Sequence, residues 1–175
     1  MMKKLLARTR QEDGNMFILF LGTLLLMVAF VGLAIDTAGS INARQATNNT
    51  LSSATVAGAS QTNPNGTIHS NRARATAIEL YSQNRQNISM MRCATAADVP
   101  AGGQLVGPSS CPFVLTDFTV RSGSENAARS GGRITTASVT MSVRECSPNF
   151  FMHMVQDELC FNVTSTGRLS TSVEG

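Results

Sequence analysis

The feature that most constrains this chain is an apolar run near its start, NMFILFLGTLLLMVAFVGLAI, which covers residues 15–35. From Met16 to Ile35 no side chain is charged, and Thr23 is the only polar one. A helix rises about 1.5 Å per residue, so roughly 20 such residues cross a hydrocarbon core of about 30 Å. A buried core helix is usually shorter and has a polar face, which this run lacks. The sequence therefore predicts a transmembrane helix over residues 15–35.

A cleavable signal peptide is the second interpretation of the same run. The apolar region of a signal peptide covers only about 7–15 residues. The tripeptide Gly32-Leu33-Ala34 loosely imitates a small-residue cleavage site, but the run is longer than a signal peptide requires. We therefore expect an anchor that stays in the membrane.

The basic residues around the run predict its orientation. Those that precede it are Lys3, Lys4, Arg8 and Arg10. Soon after the run, only Arg44 is basic. Basic residues near the ends of a span stay in the cytoplasm. We therefore expect a cytoplasmic leader over residues 1–14 and an extracytoplasmic domain after the span.

The composition beyond the span limits the classes of partner. About 140 residues remain there, enough for one modest domain with its own core. The formal net charge of the whole chain is +3, and much of the positive charge lies in the leader. After the span the basic residues are scattered, whereas phosphate binding requires clustered Lys and Arg. The sequence predicts no nucleic-acid partner.

All of the cysteines lie beyond the span, at Cys93, Cys111, Cys146 and Cys160. An even number of cysteines in an oxidising compartment predicts two disulfides. Three pairings are open, and we prefer Cys93–Cys111 with Cys146–Cys160 because sequence neighbours close the shorter loops. A zinc site at Cys146, His153 and Cys160 is the alternative, but its spacing matches none of the usual tight ligand pairs. We predict no bound metal.

Two helical segments are predicted after the span. Residues 36–60 contain no Pro and are rich in Ala, which favours a helix that continues from the membrane. A turn at Asn63-Pro64-Asn65-Gly66 separates it from a second helix, which we expect to begin near Thr67 and to end near Gln86. One face of this helix has apolar residues at Ala73, Ala77, Leu80 and Tyr81. We expect its arginines, Arg72, Arg74 and Arg85, to lie on a solvated face.

From Pro112 the apolar period changes to two, which indicates strands. The alternating apolar positions are Val114, Phe118, Val120, Ala137, Val139, Met141 and Val143. Further strands are predicted at residues 160–164 and 169–173, and the loop between Cys93 and Cys111 is expected to be irregular. The apolar segment 150–155 is either core, which we prefer, or an exposed contact patch.

These patterns predict an α+β fold, in which a single N-terminal transmembrane helix continues into a small extracytoplasmic domain with a second helix and an antiparallel sheet. The predicted parts are a leader over 1–14, a span over 15–35, a helical continuation over 36–60 and an extracytoplasmic domain over 61–175.

This pilin-like plan carries a series of short motifs. In order, they are Asp13-Gly14-Asn15, Gly32-Leu33-Ala34-Ile35-Asp36, Asn42-Ala43-Arg44 and the Ala-rich residues 53–59. The series resembles the TadE/TadG-like family of tight-adherence (Tad/Flp) pilus assembly proteins. The resemblance implies a bacterial inner-membrane protein with a periplasmic domain, whose partners are other Tad/Flp pilus components. It also implies a candidate leader cleavage between Gly14 and Asn15.

The chain departs from this family at two places. Prepilins and pseudopilins of this system have a Glu five residues after the cleaved Gly, where this chain has Leu19, and no carboxylate lies in the apolar run. Longer relatives carry a von Willebrand A-type domain with an Asp-x-Ser-x-Ser metal motif. Here Asp36-Thr37-Ala38-Gly39-Ser40 lacks the middle Ser, and we predict no metal-dependent adhesion site.

Three classes of function are open to such a chain. The first is a structural or assembly component of a pilus, with partner contacts through Gly22, Thr23 and Gly32, where small residues let helices approach. Its further contact residues are Phe150, Phe151 and Met152. The second is an anchored envelope adhesin, which would use loop 122–132 or segment 150–155. An enzyme is disfavoured because no nucleophile motif such as Gly-x-Ser-x-Gly lies near His69 or His153. We expect no cofactor and no small-molecule substrate.

Overall fold

The computed structural model describes residues 2–63, 67–88, 91–122, 137–148, 151 and 158–169, with only the backbone described for residues 2–15. Its helices are α1 (Met2–Ala59) and α2 (Ser70–Arg85), and a 3-10 turn covers Ala96–Asp98. The strands are β1 (Gln104–Val106), β2 (Phe113–Arg121), β3 (Ser138–Pro148) and β4 (Glu158–Arg168). The predicted α+β class, with a long apolar N-terminal helix, is confirmed.

Helix α1 continues without a break from the apolar run into the residues beyond it. No Pro interrupts residues 16–59, and hydroxyl side chains of the second half bond back to carbonyls of their own helix. Thr37 donates to the carbonyl oxygen of Leu33 at 2.7 Å, and Thr47 donates to that of Ala43 at 2.9 Å. The helical continuation predicted for residues 36–60 therefore has a counterpart that ends at Ala59.

The second half of α1 carries a stripe of buried, mostly small residues. They are Ala43, Thr47, Leu51, Ala54, Thr55 and Ala59. Their three- and four-residue spacing places them on one face of the helix. Small side chains on this face let α2 approach closely, and a Cβ at Gly58 would lie 3.0 Å from the carbonyl oxygen of Ala73. The stripe is thus the surface on which the rest of the domain packs.

Helix α2 begins three residues later than the sequence predicted. Residues Thr62 and Ile68 form an isolated antiparallel bridge, and the amide of Asn63 donates to the carbonyl oxygen of Thr67 at 2.8 Å. Thr67 is therefore part of this small turn, and His69 precedes the first helical residue. The buried face of α2 comprises Ala73, Ala77, Tyr81 and Arg85, whereas Leu80 is only half-buried.

The strands form an antiparallel sheet in the order β1-β2-β3-β4. Residues Val139, Met141 and Val143 of β3 are buried, as their alternation predicted. In β2 the consecutive residues Phe113, Val114 and Leu115 are all buried, because Phe113 and Leu115 face the main core whereas Val114 lies on the opposite side, beside Arg92 and Ala94. The pairing of β2 with β3 shifts between Leu115 and Asp117. Strand β1 was not predicted, and β4 is longer than the expected segment 160–164.

The predicted final strand over 169–173 falls almost wholly outside the described residues. Leu169 follows β4 directly, and its amide donates to the carbonyl oxygen of Ala137 at 3.2 Å. This bond extends the pairing of the last two strands by one residue beyond the end of β4.

The main core lies between the helices and one face of the sheet. Its buried members are Leu51, Ala54, Ala77, Tyr81, Phe113, Leu115, Met141, Val143 and Val163. The rings of Tyr81 and Phe113 meet edge to face with centroids 4.7 Å apart. Each layer contributes to this core, so the second half of α1 is part of the folded domain and not a linker to it.

Two disulfides close the domain, Cys93–Cys111 and Cys146–Cys160, which are the pairs preferred from the sequence. Cys146 and Cys160 lie directly opposite each other on β3 and β4. The Cys93–Cys111 disulfide connects the segment that follows α2 to the residues just before β2. Cross-links of this length restrict the unfolded chain and typically contribute about 2–4 kcal/mol.

Replacing Gly167 with Ala should destabilise the packing of β4 on α1. A Cβ at Gly167 would overlap the carbonyl group of Thr55, which is helix backbone and cannot move independently. We expect a loss of about 1–3 kcal/mol, the usual range for overpacking, measured by thermal unfolding of the full-length protein in detergent. Gly22→Ala is the matched control, because a Cβ there has nothing within 4 Å. Equal stability of both variants would contradict the close approach.

Candidate functional site

The exposed apolar surface of α1 is the first candidate for a functional surface. Within the described residues, α1 is the one helix that is long and apolar enough to cross a membrane, judged by length and composition. The apolar side chains of its first half, over residues 16–35, are not covered by the other described residues, and Phe17 and Leu25 are 67% and 62% exposed. A helix that is apolar on all sides and uncovered is suited to lipid and not to water.

Gly22 and Thr23 lie on this uncovered part of α1. Nothing lies within 4 Å of the position of a Cβ at Gly22, so the helix backbone is accessible there. The hydroxyl of Thr23 donates to the carbonyl oxygen of Phe20 at 2.9 Å, which satisfies it within the helix. Both residues therefore remain open to a neighbouring helix or to lipid.

Gly32, the third residue predicted for partner contact, is covered from within the chain. The ring of Phe151 packs on it, and a Cβ at Gly32 would lie 2.8 Å from both Cγ and Cδ1 of that ring. Only a residue without a side chain leaves room for this contact. The small residue at this position thus accommodates an aromatic ring of the same protein.

Asp36 fixes the backbone of Phe151 beside the same helix. The amide of Phe151 donates to the carboxylate of Asp36, at 2.9 Å from Oδ2 and 3.2 Å from Oδ1. Asp36 follows Gly32 by about one helical turn, so the two residues lie on the same face. Together they form a seat for Phe151, which we call the exit seat and define as Gly32, Asp36 and Phe151.

The position of Phe151 in the exit seat bears on the prediction that segment 150–155 is either core or an exposed contact patch. Phe151 is 47% exposed, so the preferred core interpretation is wrong for this residue. Phe150, Met152 and His153 lie outside the described residues. Sequence analysis missed the contact between Phe151 and Asp36, although the spacing of Gly32 and Asp36 on one helix face was visible.

The candidate cleavage position at Gly14 and Asn15 lies within the backbone of α1, which is helical from Met2. The side chains of these two residues are not among those described. His69, the one histidine in the described ranges, is exposed at the start of α2.

A buried polar cluster joins α2 to the sheet. Arg85 and Glu145 form a two-point ion pair, with Nε to Oε1 and Nη2 to Oε2 both at 2.7 Å. Tyr81 donates its hydroxyl hydrogen to Oε1 of Glu145 at 2.8 Å. The side chains of Arg85 and Glu145 are only 4% and 1% exposed. The prediction that Arg85 lies on a solvated face is therefore wrong.

Burial and charge shift the pKa values of Tyr81 and Arg85. Burial raises the pKa of Tyr81 well above its ordinary value, and the nearby charge of Glu145 raises it further. Burial acts to lower the pKa of Arg85, but its hydrogen bonds and attraction to Glu145 outweigh this and raise it. Tyr81 thus remains a neutral donor and Arg85 a cation, which suits a structural cluster and not acid–base chemistry near neutral pH.

Arg85 also links the cluster to the first disulfide. Its Nη2 donates to the carbonyl oxygen of Arg92 at 2.8 Å, and its Nη1 lies 3.1 Å from Sγ of Cys111. The end of α2, the segment around residue 92 and the start of β2 are therefore held by one side chain. The structural role explains why a charged residue is buried here.

A second ionic cluster is partly exposed. Arg92 contacts the carboxylates of Asp98 and Glu158, each at 2.7 Å. Hydrogen bonds from Thr95 and from Arg92 lower the pKa of Asp98 to about 2. This cluster fastens the 3-10 turn to the start of β4.

Two further features of the described residues resemble a metal site and a ligand pocket. Glu158 lies near Cys146 and Cys160 with ligand atoms within 4.8 Å of one another, but both sulfurs are joined in the disulfide and are not available as thiolates. An open depression of about 200 Å³ lies beside Arg74 and Asp117, and it is shallow and polar, unlike a typical ligand pocket.

The comparison with known families matches the membrane-proximal part of this architecture. The family described as Flp pilus-assembly TadE/G-like matches residues 14–61. The matched segment begins at Gly14 and includes the apolar run and the second half of α1 with its buried stripe. The resemblance predicted from the sequence is therefore confirmed over that segment. No curated protein and no solved structure matches the chain.

Replacing Glu145 with Gln should test the buried cluster. The variant leaves the charge of Arg85 buried without its counter-ion, and breaking such a pair typically costs about 3–5 kcal/mol. Tyr81 is the only Tyr and the chain has no Trp, so tyrosine emission during denaturation of the full-length protein reports on this cluster alone. Arg144→Gln, a change at the preceding residue, is the matched control. An unfolding midpoint for Glu145→Gln equal to that of the control would show that the ion pair is not needed.

Proposed function

We propose that this protein is a membrane-anchored structural or assembly component of a Tad/Flp-type pilus, minor pilin-like or pseudopilin-like in kind, which acts through protein–protein contacts. The observation that carries the proposal is the form of α1. One helix presents an uncovered apolar half and then packs its second half into the folded domain. The segment matched by the pilus-assembly family covers both halves apart from the leader.

The proposed location is the bacterial inner membrane, with residues 1–14 in the cytoplasm and the folded domain in the periplasm. The basic leader supports this orientation, because Lys and Arg next to a span stay in the cytoplasm. The disulfides support it as well, since such bonds persist in the oxidising periplasm and are rare in the cytoplasm. Other pilins, pseudopilins and the assembly platform are the proposed partners.

The proposed contact surface within the membrane is the open face around Gly22. Transmembrane helices associate by close packing at small residues, because lipid provides no hydrophobic force between them. Gly22 meets this requirement, since no other described residue has an atom within 4 Å of a Cβ placed there. Thr23 lies next to it and adds a second small side chain.

The absence of a carboxylate from the apolar run favours an assembly role over a place in the fibre. In the related prepilins, a Glu near the start of the span helps to register subunits in the filament, and here Leu19 stands in its place. An ionisable residue inside a membrane is costly and usually marks function. We therefore favour a protein that remains in the membrane beside the growing pilus.

The proposal is tested in the native bacterium by deleting the chain and restoring variants of it. We expect deletion to reduce surface pili and the wild-type chain to restore them. Gly22→Leu should fold normally, since no described residue lies within 4 Å of a Cβ there, but should restore fewer pili because helices can no longer approach closely. Val28→Leu, a conservative change at another exposed position of the apolar run, is the control.

Two results would contradict the proposal. Normal piliation after deletion, together with lost attachment to a surface or sugar, would favour the anchored adhesin. Full restoration by Gly22→Leu would remove Gly22 from the partner contact.

The intact mass of the protein from native membranes distinguishes an anchor from a processed fibre subunit. We expect a mass that includes residues 1–14, because Leu19 replaces the Glu of processed subunits. A mass that begins at Asn15 would instead indicate prepilin-type cleavage after Gly14 and a route into the fibre. Reduced and alkylated protein, measured in parallel, provides the count of disulfides.

A further inference from the structure

We infer that Phe151 is a second membrane contact of the folded domain, with its ring in the lipid at the boundary between acyl chains and headgroups. The inference rests on the proposed anchoring of α1 in the membrane and goes beyond it. It concerns the sheet-bearing domain and not the candidate span in α1.

The depth of the ring follows from its position beside α1. Gly32 lies inside the apolar run, which continues to Ile35, or about 4–5 Å further along the helix axis. Because the Phe151 ring packs directly on Gly32, it lies at the same level. If residues 16–35 span the bilayer, this level is just inside the acyl-chain boundary.

The surroundings of the ring at that level are apolar and uncovered. Val28, Val31 and Ile35 lie within one turn of Gly32, and each is more than half exposed. Phe151 itself is 47% exposed beside them. In water this would be a contiguous apolar patch, which soluble surfaces rarely carry. Lipid would cover the ring and the neighbouring helix surface alike, because the two are continuous.

The hydrogen bond to Asp36 explains how backbone from the folded domain is tolerated at this depth. An amide that enters an apolar region without a partner costs several kcal/mol. The amide of Phe151 has its partner in the carboxylate of Asp36, which is the first charged residue beyond the run. The exit seat therefore satisfies the backbone where water is scarce and leaves the ring facing lipid.

The absence of Trp from the natural chain makes the inference directly measurable. Phe151→Trp introduces a single indole at the exit seat of the full-length protein. The variant is reconstituted into phosphatidylcholine vesicles that contain lipids brominated either near the headgroup or deep in the acyl chains. Bromine quenches tryptophan emission only at close range, so the two lipids report depth.

Two further single-Trp variants calibrate the depth. Leu25→Trp lies in the middle of the apolar run and is exposed. Arg168→Trp lies at an exposed position far from the apolar run. Its neighbour Gly167 packs on Thr55, which is about 30 Å beyond Ile35 along the helix. We expect Leu25→Trp to lose most emission with deep bromines and Arg168→Trp to lose none with either lipid.

We expect Phe151→Trp to lose more emission with shallow than with deep bromines and to emit at shorter wavelength than Arg168→Trp. Emission that is unquenched by both lipids, while Leu25→Trp is quenched, would overturn the inference. An unquenched but blue-shifted indole would also overturn it and indicate that protein covers the ring. Loss of quenching at Leu25→Trp as well would overturn the membrane anchoring itself, so the two failures are distinguishable.

The exit seat provides an internal test of the geometry. Adding Gly32→Leu to Phe151→Trp fills the space that the ring occupies, and we expect the shallow quenching to fall. Adding Gly22→Leu instead should leave it unchanged, because nothing lies near that position. Equal quenching in both double variants would contradict a ring held at Gly32.

Discussion

The close packing of the second half of α1 against α2 and β4 is the interaction on which the remaining structure depends. Its small residues allow backbone to approach backbone, at Gly58 toward α2 and at Gly167 toward Thr55. Since the same helix also contains the apolar run, there is no linker between the candidate span and the domain. The orientation of the domain is therefore set by the helix, and a partner that holds one part also positions the other.

The polar clusters connect the ends of the helices and strands to one another, and their role is structural. Arg85 and Glu145 fasten the end of α2 to β3 and to the first disulfide, and Arg92 fastens the 3-10 turn to β4. At the exit of the apolar run, Asp36 holds Phe151 beside Gly32. A structure fastened in this way is suited to present a fixed surface to partners, as the proposed pilus role requires.

Much of this architecture was predictable because it depends on local sequence patterns. Uninterrupted apolarity predicted the first half of α1, and alternation predicted the buried residues of β3. The burial of Arg85 could also have been predicted, since Arg85 continues the four-residue spacing of Ala73, Ala77 and Tyr81 on one face of α2. It was missed because a charged side chain is rarely buried without a partner, and Glu145 lies 60 residues away. The contact of Asp36 with Phe151 spans 115 residues, and no local pattern records it.

One unbroken helix connects the candidate span to the folded domain, and amide hydrogen exchange in lipid bilayers is the measurement that reports on this continuity. Exchange requires opening of the helix, so a flexible junction would exchange quickly. We expect slow exchange in the full-length protein throughout residues 36–47, similar to that of the buried residues around Leu51. Rapid exchange confined to residues 36–42, between a protected span and a protected domain, would contradict it.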